Sequence, residues 1–502
     1  MLARLGQFIF ADHLGSVRSE EGARVRTWEM GELSHDNVVP THVKRPADGL
    51  FCQAAIFAAN GATQDVNARE VAVDHSANGE ARREGEVLTS APMPRSTLRR
   101  ATAMAAVAAV VALVGSASSA VAIGGSPTSA DPKLVATIPV GIDLGVPVLD
   151  VAAHRLYVPV ASQNSIAVID TARDAVAATI GRFNGPLGLV LDSARHRLYV
   201  SNSKWHSVAV LDTTTNRQIA SVDVGALPGA SVLDTGRQLL YVLNTGEGSV
   251  SVVDTRRNAV VSTIALGGTP IDAVLDPTGR RLYVSTHTGF GGGNGKVSVV
   301  NTKTSKLIAS LSLADYPRFL ILNAAAHRLY AAVASRSAIQ VIDTTRNKVI
   351  TTIKVGRYPY DAALDEGRQF LYVTNTDSWN EFPGSVSVID ARANRVVSTI
   401  SFDQAPTVLA LDAGAQRLYV AIVNPDRHGT RFSVIDTATN AVIVTSPSIT
   451  GASPPVLVVD PSLQRLYAPH DFNITAGESV TPGVVDVFDI QATARLVRSS
   501  IG

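Results

Sequence analysis

The sequence is poor in the residues on which many functional motifs depend. Cysteine is almost absent, since Cys52 is the only one among 502 residues. An intrachain disulfide, a C-x-x-C metal site and a C-x-x-C-H haem attachment are therefore excluded. Aromatic residues make up 5% of the chain, and the formal net charge is +1. A near-neutral chain has no overall basic field that would attract nucleic acid or an anionic membrane.

Long apolar runs are also missing. The best candidate extends from Ala101 to Val114 and is too short to span a bilayer comfortably. A basic stretch, MPRSTLRR, precedes it, and Ala120-Val121-Ala122 follows as an A-x-A cleavage site. This order of basic head, apolar run and cleavage site is typical of a secretory signal peptide.

We therefore predict a signal peptide at 93–122, a linker at 123–132 and a mature domain at 133–502. Residues 1–92 are mixed and charged without sustained periodicity. We interpret them as a non-native or disordered extension ahead of a true start at Met93; the rival is a cytoplasmic head before a membrane anchor. The expected product is secreted or associated with the cell envelope, without a membrane span in its mature chain.

What the sequence does contain is one unit repeated eight times. A Leu-Tyr pair recurs every 42 to 48 residues, and its tyrosines are Tyr157, Tyr199, Tyr241, Tyr283, Tyr330, Tyr372, Tyr419 and Tyr467. An acidic or amide residue lies seven positions before each tyrosine: Asp150, Asp192, Asp234, Asp276, Asn323, Asp365, Asp412 and Asp460. A second polar position follows in V-I-D-T or a relative of it: Asp170, Asp212, Asp254, Asn301, Asp343, Asp390, Asp436 and Asp489.

Each unit contains four short runs rich in Val, Ile, Thr and Tyr, separated by turn residues. A period near 42 residues with four strands is typical of a β-propeller blade. We therefore predict an all-β propeller of four-stranded blades, with eight blades favoured and seven as the alternative. The recurring acids are expected to cap turns, because a catalytic carboxylate is needed once and these occur in every blade.

The sixth unit carries a family resemblance. Leu371-Tyr372-Val373-Thr374-Asn375, followed by Gly384-Ser385-Val386-Ser387-Val388, resembles the YVTN family of β-propeller repeats. The resemblance covers about 133–502 and implies an exported or surface protein. A similar periplasmic propeller is linked to DNA binding. The wider set of similar propellers includes lactonases and haem- or quinone-linked redox propellers. The usual family count is seven blades, from which this sequence departs.

One strand-like segment stands outside the eight units. Leu134 to Gly141, LVATIPVG, resembles the fourth strand of a blade. Placed beside the last unit, it would close the ring and protect the sheet edges. The last unit also has a weaker fourth strand of its own, Ala494 to Ile501.

Candidate functional residues lie where the units differ. In a propeller, the loop between strands two and three emerges on the same face as the connection from strand four to the next blade. That loop is long in units 4, 6, 7 and 8, and long loops on one face commonly carry binding function. The candidate ligand-binding residues in these loops and connections are Asp272, His287, Arg318, Tyr360, Asp361, Trp379, Glu381, Arg427, His428, His470 and Asp471.

No catalytic residue, cofactor or metal is assigned, because no HExxH or GxSxG motif occurs in 133–502. The favoured hypothesis is a monomeric, non-enzymatic module that binds an unknown protein or small molecule through the long-loop face. A lactonase or hydrolase with a metal at the channel mouth is the first alternative. A weak binder of single-stranded nucleic acid is the second, and the near-neutral charge argues against it.

Overall fold

The computed structural model describes residues 132–288, 295–313, 315, 317–376, 383–423, 429–450, 454, 456–471 and 483–491. The predicted extension and signal peptide lie outside the described residues, as does all of the linker except Pro132. Within the described part of the chain, no helix is long and apolar enough to cross a membrane. Regular structure there is almost entirely β-strand.

Eight antiparallel sheets follow one another along the chain, each with four strands in sequence order, except that the last sheet takes its fourth strand from the segment before the first sheet and the seventh has an additional short strand. β1 is Lys133–Gly141. Blade 1 contains β2 (Val148–Asp150), β3 (Arg155–Val160), β4 (Ser165–Asp170) and β5 (Ala175–Ile180). Blade 2 contains β6 (Pro186–Asp192), β7 (Arg197–Asn202), β8 (Ser207–Asp212) and β9 (Arg217–Asp223). Blade 3 contains β10 (Pro228–Asp234), β11 (Leu239–Asn244), β12 (Ser249–Asp254) and β13 (Ala259–Ala265). Blade 4 contains β14 (Thr269–Asp276), β15 (Arg281–His287), β16 (Lys296–Asn301) and β17 (Lys306–Ser312).

The second half of the ring repeats this arrangement. Blade 5 contains β18 (Pro317–Asn323), β19 (Arg328–Val333), β20 (Ala338–Asp343) and β21 (Lys348–Lys354). Blade 6 contains β22 (Pro359–Asp365), β23 (Phe370–Asn375), β24 (Ser385–Asp390) and β25 (Arg395–Ser401). Blade 7 contains β26 (Ala405–Asp412), β27 (Arg417–Val423), β28 (Gly429–Asp436), β29 (Ala441–Thr445) and the short β30 (Ile449–Thr450). Blade 8 contains β31 (Val458–Asp460), β32 (Arg465–His470) and β33 (Gly483–Asp489).

The predicted all-β propeller is confirmed, with eight blades rather than seven. First strands of neighbouring blades contact one another, which places them nearest the axis of the ring. Short 3₁₀ turns occur in blades 1, 2 and 5: Ala161–Gln163, Ser193–Arg195, Ser203–Trp205 and Ala334–Arg336.

The predicted closing strand is also confirmed. β1 pairs antiparallel with β33, so blade 8 is completed by the segment that precedes blade 1. Ile138 of β1 is buried with Val485 and Val487 of blade 8 and with Leu156 and Val158 of blade 1. The competing fourth strand at 494–501 lies outside the described residues.

The core lies between successive blades. Tyr241, Val250 and Val252 of blade 3 pack with Leu282 and Val284 of blade 4 in one cluster. Strands two and three carry most of these side chains, and they are almost fully buried on both faces of the sheet. Each blade therefore supplies apolar surface to two neighbours, as the near-continuous runs of Val, Leu and Ile indicate.

Three of the repeated tyrosines, Tyr330, Tyr372 and Tyr467, donate hydrogen bonds to the next blade. Tyr330 Oη donates a hydrogen bond to the carbonyl oxygen of Ala391 at 3.1 Å. Tyr467 Oη donates to the carbonyl oxygen of Thr171 at 3.4 Å and so connects blade 8 back to blade 1. Burial raises the pKa of Tyr241 and of Tyr330 to about 12, which keeps these hydroxyls protonated.

The repeated acids cap turns, again as predicted. In the turn after strand one, Asp234 Oδ1 accepts the backbone N–H of Arg237 at 2.9 Å. In the turn after strand three, Asp343 Oδ1 accepts the N–H groups of Thr345 and Arg346 at 2.9 and 3.0 Å. Asn301 accepts the matching pair in blade 4, at 2.9 and 3.2 Å. A short side chain with an sp² oxygen is therefore what this position requires.

Substitutions in β1 test ring closure. We expect Ile138→Ala to lower the free energy of unfolding by about 2–4 kcal/mol, because it empties a buried position between blades 8 and 1. Val135→Ala on the same strand is the matched control, since Val135 is 42% exposed and Ile138 only 4%; it should cost under about 1 kcal/mol. Urea unfolding measures both. Equal, small effects would show that β1 does not close the ring.

The capping acids predict a pH dependence of stability. The hydroxyl of Thr345, the turn N–H groups and Arg346 hold the pKa of Asp343 well below its usual range. Its contribution is therefore complete above the unfolded pKa, about 3.9, and is lost as the pH falls through the folded pKa. Asp343→Asn should cost about 1 kcal/mol at pH 7 and less at pH 2, because Asn keeps the turn bonds but does not titrate. The reverse change in blade 4, Asn301→Asp, should make the free energy of unfolding more sensitive to acid. If the pH–stability curves of both variants ran parallel to the wild-type curve, the prediction would be contradicted.

Candidate functional site

One face of the ring is formed by the loops between strands two and three together with the connections between blades, and we call it the loop face. In blade 3 the N–H groups of Thr245 and Gly246 donate to the carbonyl oxygens of Leu227 and Ala226 at 3.1 and 3.0 Å. In blade 6 the N–H of Thr376 donates to Tyr358 O at 3.2 Å. These bonds confirm the prediction that the two kinds of segment share a face.

A polar network fixes the loop face in the most regular blades. Asn375 Nδ2 donates to Ser387 Oγ at 2.9 Å and to Ser385 Oγ at 3.2 Å. Ser387 Oγ accepts the N–H of Gly356 from the connection at 3.4 Å. A side chain on Gly356 would place its Cβ 2.7 Å from that of Asn375, so the glycine is needed for close approach. Blade 3 repeats this arrangement with Asn244, Ser249, Ser251 and Gly225.

His470 lies at the matching position of blade 8. It is the last residue of β32, three residues after Tyr467 as Asn375 is after Tyr372, rather than part of the long loop. It is 1% exposed, and its Nε2 lies 2.8 Å from Asp486 Oδ2. The other oxygen, Asp486 Oδ1, accepts the hydroxyl of Thr137 in β1 at 2.6 Å. The pair therefore replaces the Asn–Ser contact and reaches the closing strand.

Asp471 ties the same blade to the start of blade 1. Its Oδ2 accepts the N–H of Leu144 at 3.2 Å. Burial raises the pKa of Asp471, the carboxylate of Asp143 raises it further, and the Leu144 N–H opposes both effects. His470 and Asp471 thus lie together at the closure between blades 8 and 1.

Asp272 and Asp361 occupy equivalent positions in the inner strands of blades 4 and 6. Asp272 Oδ2 accepts the N–H of Leu320 in blade 5 at 2.8 Å. Asp361 Oδ2 accepts the N–H of Leu409 in blade 7 at 3.1 Å. Both carboxylates are nearly fully buried, at 3% and 5% exposed. Each one therefore links neighbouring inner strands, whatever else it contacts.

Arg318 and Tyr360 are brought together. The guanidinium carbon of Arg318 in β18 lies 4.0 Å from the ring centroid of Tyr360 in β22, and 5.6 Å from that of Tyr358. Arg318 Nε donates to the carbonyl oxygen of Tyr360 at 3.3 Å. All three side chains are half-buried. A cation stacked on aromatic rings at this depth is held in one orientation.

Arg318, Tyr358 and Tyr360 define what we call the Arg–Tyr site. It lies on the loop face where blades 5 and 6 meet, and the inner-strand acids Asp272 and Asp361 flank it. The bond from Thr376 to Tyr358 O places it beside the start of the long loop of blade 6.

The remaining candidates are not brought together by the described residues. His287 ends β15 in blade 4, where it is half-buried. Trp379, Glu381, Arg427 and His428 lie outside the described residues. In the part of the chain that the structure describes, no three His, Cys, Asp or Glu side chains lie together as a metal site. The binding role of the candidate set stays a prediction.

Tyr358 was not among the candidates, although the sequence holds a signal for it. Eight of the eleven tyrosines are repeat positions, and the other three are Tyr316, Tyr358 and Tyr360. These three fall within two consecutive entries to blades, on either side of Arg318. Two of these three tyrosines, Tyr358 and Tyr360, lie close to Arg318 in the structure.

Comparison with known proteins places the fold. No protein-family model matches the chain, and no curated protein matches it. Among solved structures, quinohemoprotein alcohol dehydrogenase from Comamonas testosteroni is similar, with a TM-score of 0.54, 12% identity, and 72% of this chain and 77% of that chain covered. The chain is an eight-bladed β-propeller.

Two further structures are similar. Dihydro-heme d1 dehydrogenase NirN in complex with DHE has a TM-score of 0.52 and 14% identity, with 61% of this chain and 67% of that chain covered. Hydrazine synthase from Kuenenia stuttgartiensis has a TM-score of 0.45 and 21% identity, with 57% of this chain and 92% of that chain covered. At such identities the likeness shows the propeller fold alone.

Substitutions in the His470–Asp486 pair test whether it belongs to the scaffold. His470→Ala should cost about 3–5 kcal/mol, because it leaves the buried carboxylate of Asp486 without this partner. The double variant His470→Asn with Asp486→Ser recreates the pair of blades 3 and 6 and should recover most of that loss. Chemical unfolding of wild type and both variants gives the answer. A fully stable His470→Ala would remove the scaffold role.

Proposed function

We propose that this chain is an exported propeller of the YVTN type that works as a non-enzymatic binding module. Its ligand contacts the Arg–Tyr site on the loop face. The observation that carries this proposal is the stacking of Arg318 on Tyr360 at 4.0 Å, at the inner strands of two adjacent blades. Fold alone does not give a function, so the argument rests on this local chemistry.

The chemistry of the site favours a planar, anionic ligand. Guanidinium groups pair with carboxylate or phosphate oxygens, and tyrosine rings offer faces for stacking. The nearby carboxylates of Asp272 and Asp361 are buried and accept backbone N–H groups. Arg318, Tyr358 and Tyr360 are each partly exposed, and Arg357 beside Tyr358 is exposed.

The site also lies where ligands commonly bind in ring-shaped folds. Long second-to-third loops belong to blades 4, 6, 7 and 8, and the Arg–Tyr site adjoins the loop of blade 6. Loops carried by a rigid scaffold can enclose a ligand without disturbing the core. A rigid scaffold that carries long loops beside a polar and aromatic site is sufficient for a binding module.

Titration of purified protein with aromatic carboxylates, such as benzoate and nicotinate, and with oligothymidylate tests the proposal. We expect at least one small planar anion to raise the thermal midpoint. Arg318→Gln and Tyr360→Leu should each weaken that ligand about tenfold or more, because each removes one side of the stack. Arg336→Gln is the matched control: it removes an exposed arginine from a loop of the same face and should leave binding unchanged.

Three outcomes would contradict the proposal. Equal loss of binding in Arg318→Gln and Arg336→Gln would show a general charge effect. Binding of oligothymidylate alone would favour the nucleic-acid alternative. Two structural neighbours are dehydrogenases by name, so the third outcome is enzymatic turnover, either cofactor-dependent dye reduction or lactone hydrolysis that requires an added divalent metal.

A further inference from the structure

The face opposite the loop face is formed by the turns after strands one and three, and we call it the turn face. Its acids are drawn inward because their oxygens cap the turns. Asp192, Asp234 and Asp343 are 2% to 3% exposed. Long cationic side chains on the same turns extend outward, since their stems can cover the surface while the charges stay in water. Turn capping thus places the negative charges below the surface and leaves the positive charges at the surface.

The outer layer of the turn face is consequently cationic. Its exposed basic residues run through blades 8 and 1 to 6: Lys133, Arg173, Arg195, Arg217, Arg256, Arg257, Arg280, Lys303, Lys306, Arg346, Lys348, Arg392 and Arg395. Among the described residues of these turns, Glu366 is the one acid in the same exposure class. The exposed charges of this near-neutral chain are therefore unevenly distributed between its faces.

The described part of the loop face lacks this imbalance. Its exposed cations are Arg182, Lys204, Arg336, Lys354 and Arg357, and its exposed acids are Asp143, Asp223, Glu247 and Asp403. Guanidinium or ammonium groups spread over one side of the ring produce a local positive potential that acts over about a Debye length, near 8–10 Å.

The ion pairs on the turn face do not prevent these cations from engaging a ligand. Arg256 Nη2 lies 3.0 Å from Asp254 Oδ2, and Arg346 Nη1 lies 2.8 Å from Asp343 Oδ2, yet the two arginine side chains are 66% and 74% exposed. Exposed pairs of this kind contribute little to stability. Exchange of an aspartate for an external anion therefore costs little.

We propose that the turn face docks on an anionic lipid surface. Its basic side chains would meet the headgroup phosphates. Charge complementarity selects the anionic partner.

The broad distribution of the cations supports the same partner. They cover seven blades of a ring instead of lining one groove, so they match an extended flat surface. Docking by the turn face leaves the loop face directed away from the membrane. This inference does not depend on the proposed ligand at the Arg–Tyr site, since the two faces share no residue.

Co-sedimentation with vesicles tests the inference, using the protein as isolated from its host. The probes are vesicles of phosphatidylcholine alone and of phosphatidylcholine with about 30% phosphatidylglycerol. We expect binding to the anionic vesicles only, weakening as salt rises from about 50 to about 500 mM. Replacing Arg256, Arg257, Arg346 and Lys348 with Gln should weaken it about tenfold or more.

A second quadruple variant is the matched control. Replacing Arg182, Lys204, Arg336 and Lys354 with Gln removes the same charge from the loop face and should leave vesicle binding unchanged. Any contribution of residues 101–114 is common to all variants and cancels in the comparison.

Three results would overturn the inference. Failure to bind anionic vesicles at low salt would end it. Equal losses in the two quadruple variants would show that net charge, and not the turn face, is responsible. Binding to heparin or oligothymidylate without binding to anionic vesicles would identify a soluble polyanion as the partner. Circular dichroism of each variant confirms that the fold is retained.

Discussion

Closure of the ring is the constraint on which the rest of this structure depends. Every blade buries apolar side chains against both neighbours, so blades 8 and 1 would each expose one face if the ring stayed open. The pairing of β1 with β33 prevents this and covers an edge strand as well. Tyr467, Asp471 and the Thr137–Asp486–His470 chain add polar contacts at the same seam.

The repeated units use the same types of polar contact from blade to blade, and these contacts give the two faces different chemistry. On the turn face, aspartates cap tight turns and leave basic side chains outside. On the loop face, Asn–Ser–Gly contacts fix the connections in the regular blades. Departures from the repeat then stand out, as Arg318 and its two tyrosines do between blades 5 and 6. Scaffold and candidate site are thus separated by position.

Much of the fold could be predicted from the sequence, for a physical reason. Turn caps, strand periodicity and inter-blade tyrosines are local demands that each blade meets with its own residues, and repetition makes them visible. His470 shows the limit of that reasoning. It was assigned to a long loop, although its spacing from Tyr467 is that of the repeat asparagine, and the structure places it in a strand against Asp486. The contact of Tyr358 with Arg318, 40 residues earlier in the chain, follows from the packing of neighbouring blades and not from any local pattern.

By itself the sequence determined the strands, the turn caps, the number of units and the segment able to close the ring, because these follow from short-range pattern and its repetition. The tertiary structure alone decided which side chains meet between blades and on which face each charge is displayed. Arg318 reaches Tyr360 only because neighbouring inner strands lie side by side. The basic turn face arises only because all blades point their turns the same way, a consequence of closing the ring that no single repeat encodes.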